Sequence, residues 1–147
     1  MANKVLWETS WTSRSTVLTT ELNSLGDGAF SGVGSAVDNT SNLDQFGALD
    51  IVLASLNPTA GAFLQLFMVQ SLDGTNYEDA PSSTNPGLHM LVATVNVTTG
   101  SAAKRIMTPT FRIPPGKFKF VLYNDCNVSL GASSNTVTLY TSNDEIQ

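Results

Sequence analysis

The sequence predicts an all-β, single-domain sandwich. Short apolar–polar alternations recur from one end of the chain to the other. Clusters of Gly, Pro, Asn and Asp separate them at intervals of about 8 to 15 residues. No stretch of the chain carries a clean helical period. Successive side chains of a strand point to opposite faces, so a period of two marks a half-buried strand. The clearest case is Lys117 to Tyr123, where Phe118, Phe120 and Leu122 share one face.

The elements follow in chain order. Residues 1–15 are polar apart from Val5, Leu6, Trp7 and Trp11, and lack a strand pattern. They read as an extended N-terminal arm. Thr16 to Leu22 reads as a strand, and Asn23 to Gly28 as a turn with glycines for positive φ. Ala29 to Val37 is a weak, Gly-rich strand, in which Gly32 and Gly34 point to a bulge or an edge. Asp38 to Asp44 is a loop. Gly47 to Ser55 alternates Leu49, Ile51 and Leu53, and Asn57 to Gly61 turns the chain. Ala62 to Ser71 is apolar on both faces, as expected of a strand covered on both sides. Ser71 to Asp79 is a turn with Asp-Gly at its tip, and Pro81 to Gly87 is a polar loop. Leu88 to Val97 is a strand and Thr98 to Ala102 a turn. Lys104 to Ile113 is a strand that Pro109 consigns to an edge or a bulge. Pro114-Pro115-Gly116 turns into the Phe118 strand, and Thr136 to Thr141 closes the chain with Val137 and Leu139 inward. About eight antiparallel strands with no linker and no repeat fit one sandwich of the jelly-roll type over residues 1–147.

Composition narrows the function. The chain has 147 residues, and a chain of that size buries about 70% of its unfolded surface, so a core needs no staples. Charged residues make up 13%, about half the usual ~25%. Ser, Thr, Asn and Gln must then supply the polar surface, which is less costly to desolvate against a partner than a charged one. Net charge is −5, and the bases form no patch beyond Lys104-Arg105 and Lys117/Lys119. Backbone binding of DNA or RNA needs clustered cations, so a nucleic-acid partner is not expected. No apolar run reaches ~18 residues, so no spanning helix and no membrane partner are expected. Glu8 interrupts any signal-peptide-like run at the start, which points to the cytoplasm as the place of synthesis.

Candidate chemistry is sparse. His89, flanked by Leu88 and Met90, reads as a histidine on the polar face of a strand rather than a catalytic base. Cys126 is the single cysteine, which excludes an intrachain disulfide, and it reads as a small inert residue at a strand end. Asp73, Asn76, Glu78 and Asp79 crowd one turn; they lack the spacing of the helix-loop-helix calcium site and read as Asx-type turn chemistry. The expectation is therefore no enzyme, with no catalytic, cofactor or metal residues. Trp7 and Trp11 stand out in their polar segment, either as caps on the chain's own core or as anchors for a neighbouring protein, because aromatics are common hot spots of interfaces. Tyr77 joins them as a candidate interface residue.

Two segments carry a resemblance. Ser71-Leu72-Asp73-Gly74-Thr75-Asn76-Tyr77-Glu78-Asp79 after an apolar strand, and Ile113-Pro114-Pro115-Gly116-Lys117-Phe118-Lys119-Phe120 near the C-terminus, resemble turns of tailed-phage virion proteins. The chain is similar to capsid decoration (cement) proteins. The resemblance implies a jelly-roll protein of the virion surface, made in the host cytoplasm, with no catalytic residues. Its partners would be the major capsid protein, whose neighbouring subunits it clamps, and itself as a dimer or trimer. The alternative is a receptor-binding or carbohydrate-binding sandwich on a phage tail, which needs exposed aromatics on a concave face. Tyr77, Tyr123 and Tyr140 are the candidates for that face.

Overall fold

Twelve strands are described in the computed structural model, which covers residues 5–7, 10–79 and 86–146, with side chains for 10–79 and 86–144. They are β1 (Val5–Trp7), β2 (Thr12–Leu18), β3 (Ala29–Phe30), β4 (Val37–Asp38), β5 (Phe46–Leu53), β6 (Phe63–Ser71), β7 (Leu91–Asn96), β8 (Lys104–Met107), β9 (Phe111–Arg112), β10 (Lys117–Asp125), β11 (Thr136–Ser142) and β12 (Asp144–Ile146). One sheet runs β2-β11-β5-β8, with β9 continuing the edge along β5; the other runs β3-β10-β6-β7, with β4 continuing the edge along β10. The two sheets pack face to face as an all-β sandwich.

The pairings are nested. β1 pairs with β12, β2 with β11, β3 and β4 with β10, β5 with β8 and β9, and β6 with β7, all antiparallel. The chain is thus one long two-stranded ribbon, folded at the β6–β7 connection. The ribbon is rolled up and closed by two further pairings, β11 with β5 and β10 with β6. If each interrupted edge counts as one strand, the two large sheets hold eight strand positions, four in each.

Alternation dictates the core. Leu49, Ile51 and Leu53 of β5 and Val137 and Leu139 of β11 meet Leu64, Leu66 and Met68 of β6 and Phe118, Phe120 and Leu122 of β10. Phe118 and Phe120 pack edge to face at 5.6 Å, and Phe111 of β9 meets Phe120 at 6.1 Å. Each such side chain contributes about 1.5–3 kcal/mol on burial. The double-faced reading of Ala62 to Ser71 is explained by a second cluster. Phe67, Val69 and Val121 point away from the main core and pack with Met90 under Phe30, Tyr77, Leu91 and Tyr123.

Several sequence boundaries are corrected. The strand placed at Thr16 to Leu22 begins at Thr12, because β11 pairs with it across two irregularities in register; Thr20–Leu22 is instead a 3-10 turn that drops Leu22 into the core. Thr12 to Ser15 therefore belong to a sheet and not to an extended arm, and Val5–Trp7 pair with the other end of the same chain. Residues 1–4 and 8–9 lie outside the described residues, as do 80–85, most of the predicted polar loop. Leu88–Met90 is a 3-10 turn, so His89 precedes its strand and is not part of it. Lys104 to Ile113 breaks at Thr108 to Thr110. There Thr108 exchanges backbone and hydroxyl hydrogen bonds with Leu49, and Pro109 has no N–H to offer.

Ala29 to Val37 also breaks, and its middle spans both sheets. Ser31 stands in for a strand residue: its N–H donates to Leu122 O at 2.7 Å and its Oγ accepts from Leu122 N–H at 2.9 Å. Three residues on, Gly34 N–H donates to Phe120 O in one sheet and Ser35 N–H to Val17 O in the other, both at 3.0 Å. This crossing seals one side of the sandwich.

Candidate interaction surfaces

Three residues emerge from the sequence as candidate contacts, and the fold does not gather them. Trp7 lies in β1, and its side chain is outside the described residues. Trp11 stands just before β2 on the outer face of the β2-β11-β5-β8 sheet. Tyr77 lies over the outer face of the opposite sheet, where it covers the second cluster and carries Lys119 Nζ 4.2 Å from its ring centroid. Tyr123 packs on Phe30 on that same face at 4.6 Å. Tyr140, the third tyrosine considered, falls instead beside Trp11.

The Trp11 face carries an open groove of about 390 Å³. Trp11 and Tyr140 wall it, with Met107, Ala48, Thr110, Asp50 and Arg105 around them. Register explains the grouping. Ala48, Asp50 and Tyr140 alternate with the buried Leu49, Ile51 and Leu139, and so face outward. Tyr140 sits opposite Ala48, whose methyl leaves space that a larger residue would fill, and Asp50 sits opposite Met107. Trp11 is 43% exposed and Met107 65%. Asp50 is nearly buried and is gripped by Arg105: Nε donates to Oδ1 at 3.0 Å and to Oδ2 at 3.2 Å, and Nη2 donates to Oδ2 at 2.8 Å. Sequence reasoning missed this pairing. The one available signal was an aspartate at an outward position of an otherwise apolar strand, with an arginine three strands later in the chain.

The other face presents a rigid turn. Gly74 takes φ +76°, which glycine adopts without strain. Asp73 Oδ1 accepts the N–H of Asn76 at 2.7 Å and of Thr75 at 2.8 Å, Oδ2 accepts from Asn76 Nδ2 at 2.7 Å, and Ser71 Oγ adds a bond at 3.2 Å. The N–H groups of Asn76 and Thr75, then the Asn76 side chain, hold the Asp73 carboxyl far below its ordinary value. The turn carries Leu72, which is 100% exposed. Leu88, 77% exposed, projects from the 3-10 turn before β7. His89 Nε2 lies 3.6 Å from Glu78 Oε1, and both side chains face solvent. Among the described residues, no three His, Cys, Asp or Glu side chains converge to hold a metal ion, and no helix is long and apolar enough to cross a membrane.

The remaining polar features hold the fold. Arg14 Nε and Nη2 each donate at 2.7 Å to the two oxygens of the buried Asp44, at one end of the sandwich. Asn39 Nδ2 donates to Asp44 O and Pro114 O, and its Oδ1 accepts from Asp44 N–H. Cys126 is buried in the main core, and burial, with Asp27 and Asp125 nearby, pushes its thiol up to about 11. Comparison with protein-family models and with curated proteins gives no match.

Proposed function

We propose that the chain is a jelly-roll structural protein of a phage virion, which decorates the capsid and clamps neighbouring major capsid subunits. The nested strand order supports the jelly-roll reading. In an eight-strand jelly roll a rolled ribbon pairs first strand with eighth, second with seventh, third with sixth and fourth with fifth. The pairings β2–β11, β3/β4–β10, β5–β8/β9 and β6–β7 follow that scheme.

The observation that carries the decoration reading is Leu72, a fully exposed leucine on a turn locked by Asp73. An apolar knob on a rigid support docks without paying for loop ordering. Tyr77 lies on the same surface as Leu72, and Leu88 projects next to His89, whose ring reaches Glu78 there. The contact would seat these residues across a joint between capsid subunits, with the protein present as a dimer or trimer. Binding the assembled shell alone stabilises that shell by mass action.

Reattachment tests this reading. Heads stripped of the protein should take up the recombinant chain and become more heat-resistant. Leu72→Asp should abolish uptake while leaving the melting temperature of the free protein unchanged. Uptake of Leu72→Asp at the wild-type level would remove the proposed surface. Absence of the protein from purified particles would remove the virion role itself. The tail reading, a carbohydrate-binding sandwich, is favoured by one observation, the Trp11–Tyr140 groove on the opposite face.

A further inference from the structure

We propose that the groove between Trp11 and Tyr140 is a binding site for a neutral pyranose sugar. The inference goes beyond capsid decoration and does not depend on it, since groove and Leu72 turn lie on opposite faces. Three properties of the groove specify the ligand class.

The first is shape. A volume of about 390 Å³ lies at the lower end of the ~300–1,000 Å³ of ligand sites and suits a mono- or disaccharide. The second is the wall chemistry. Exposed Trp11 and Met107 and half-buried Tyr140 offer apolar and aromatic surface. The C–H face of a pyranose is apolar and carries partial positive charge, and the face of an aromatic ring is negative, so the two stack.

The third is the polar pair. Asp50 accepts three hydrogen bonds from Arg105, out of about four acceptor sites on a carboxylate. Arg105 spends Nε and Nη2 on Asp50, and its Nη1 has no partner among the described residues. The side chain is 63% exposed. The pair therefore offers donors and an acceptor side by side, oriented by the planar fork of the guanidinium on the Asp50 carboxylate. A sugar hydroxyl donates and accepts at once and satisfies both.

The charges of Asp50 and Arg105 sum to zero inside the groove, so the pair adds no net charge that would select a cationic or anionic partner. An aliphatic side chain seated there would strip water from Arg105 without replacing its hydrogen bonds, an uncompensated loss. A neutral polyhydroxylated ring with one apolar face meets both constraints.

The test is a titration of the full-length protein, followed by NMR. The probes are the methyl glycosides of glucose, galactose, mannose and N-acetylglucosamine, each taken to about 50 mM, which covers millimolar affinity. At least one should shift the Trp11 indole and the amides of Ala48 and Tyr140 to saturation. Trp11→Ala and Arg105→Ala should each weaken that binding about tenfold or more, and Trp11→Phe should keep most of it. Trp11→Ala should leave the melting temperature unchanged; Arg105→Ala strips the nearly buried Asp50 of its partner and should lower it, so its binding is read only at temperatures where its NMR spectrum shows the folded protein. The proposal is overturned if no probe produces saturable shifts, or if the shifts survive Trp11→Ala. It is also overturned if Trp11→Ala instead converts an oligomer to a monomer, because the groove is then a joint between copies. Sugar binding is read on the free protein and capsid attachment on particles, so failure of one leaves the other standing.

Discussion

Gly34→Ala should be among the most damaging single-methyl additions to this fold. A Cβ at this position would lie 2.1 Å from Val17 O, 2.8 Å from Leu18 Cδ2 and 3.1 Å from Val17 C. Two of those atoms are backbone, so no rotamer change relieves the contact. The segment cannot retreat freely either. Gly34 N–H is bonded to Phe120 O and Ser35 N–H to Val17 O, both at 3.0 Å, which ties it to both sheets. Overpacking costs about 1–3 kcal/mol, and losing the two hydrogen bonds adds about 1 kcal/mol each. The sum is about 3–5 kcal/mol, or a fall of about 6–20 °C in melting temperature for a domain of this size. Circular dichroism melts and urea midpoints of the free protein read it. Gly32→Ala is the control: its Cβ would meet only Glu21 Cγ at 3.6 Å and Cβ at 3.9 Å, ordinary contacts, and the backbone there is not left-handed. If Gly34→Ala melts within about 2 °C of wild type, alongside Gly32→Ala, the bridge between the sheets does not constrain the fold as argued.

Three further outcomes are expected. Burial opposes the charged form of Asp44, but hydrogen bonds from Arg14, Thr141 and Asn143, with the charge of Arg14, hold its carboxyl below its ordinary value. A lowered folded pKa stabilises the protein above the ordinary carboxylate value of about 4 and loses that contribution as pH falls through the folded pKa. Asp44→Asn should thus cost about 3 kcal/mol at pH 7 and flatten the decline in melting temperature below pH ~4; a decline as steep as in wild type would assign the acid sensitivity elsewhere. Cys126, with its thiol at about 11 and no exposure, should resist a thiol reagent such as dithionitrobenzoate in the native state and react fully in urea. Rapid native labelling would mean the core opens around it. His89→Gln should leave the melting temperature within about 1 °C, since the contact with Glu78 is 3.6 Å long and solvent-facing; a larger drop would make that contact structural.

Local pattern made the sandwich legible. Phe118, Phe120 and Leu122, or Leu49, Ile51 and Leu53, declare their strands because the side-chain period of a sheet is visible in any short window. The turn at Asp73-Gly74 is equally local: its hydrogen bonds span two and three residues. Gly32 and Gly34 signalled a bulge or an edge, and the segment lies as two short pieces on the β10 edge, but the need for Gly34 comes from Val17, seventeen positions earlier in sequence. Pairing lies beyond such windows. β2 and β11 bring Ser15 against Leu139, and β1 and β12 bring Val5 against Ile146. Alternation states which face of a strand is buried and not which strand lies beside it. Many orders bury the same apolar faces, and only the assembled sheets select the nested one. The same limit hid the groove. Trp11, Asp50, Arg105 and Tyr140 come from four distant segments; Trp11 and Tyr140 stand out singly in the sequence, but only the register of β2 on β11, of β11 on β5 and of β5 on β8 sets the four side by side.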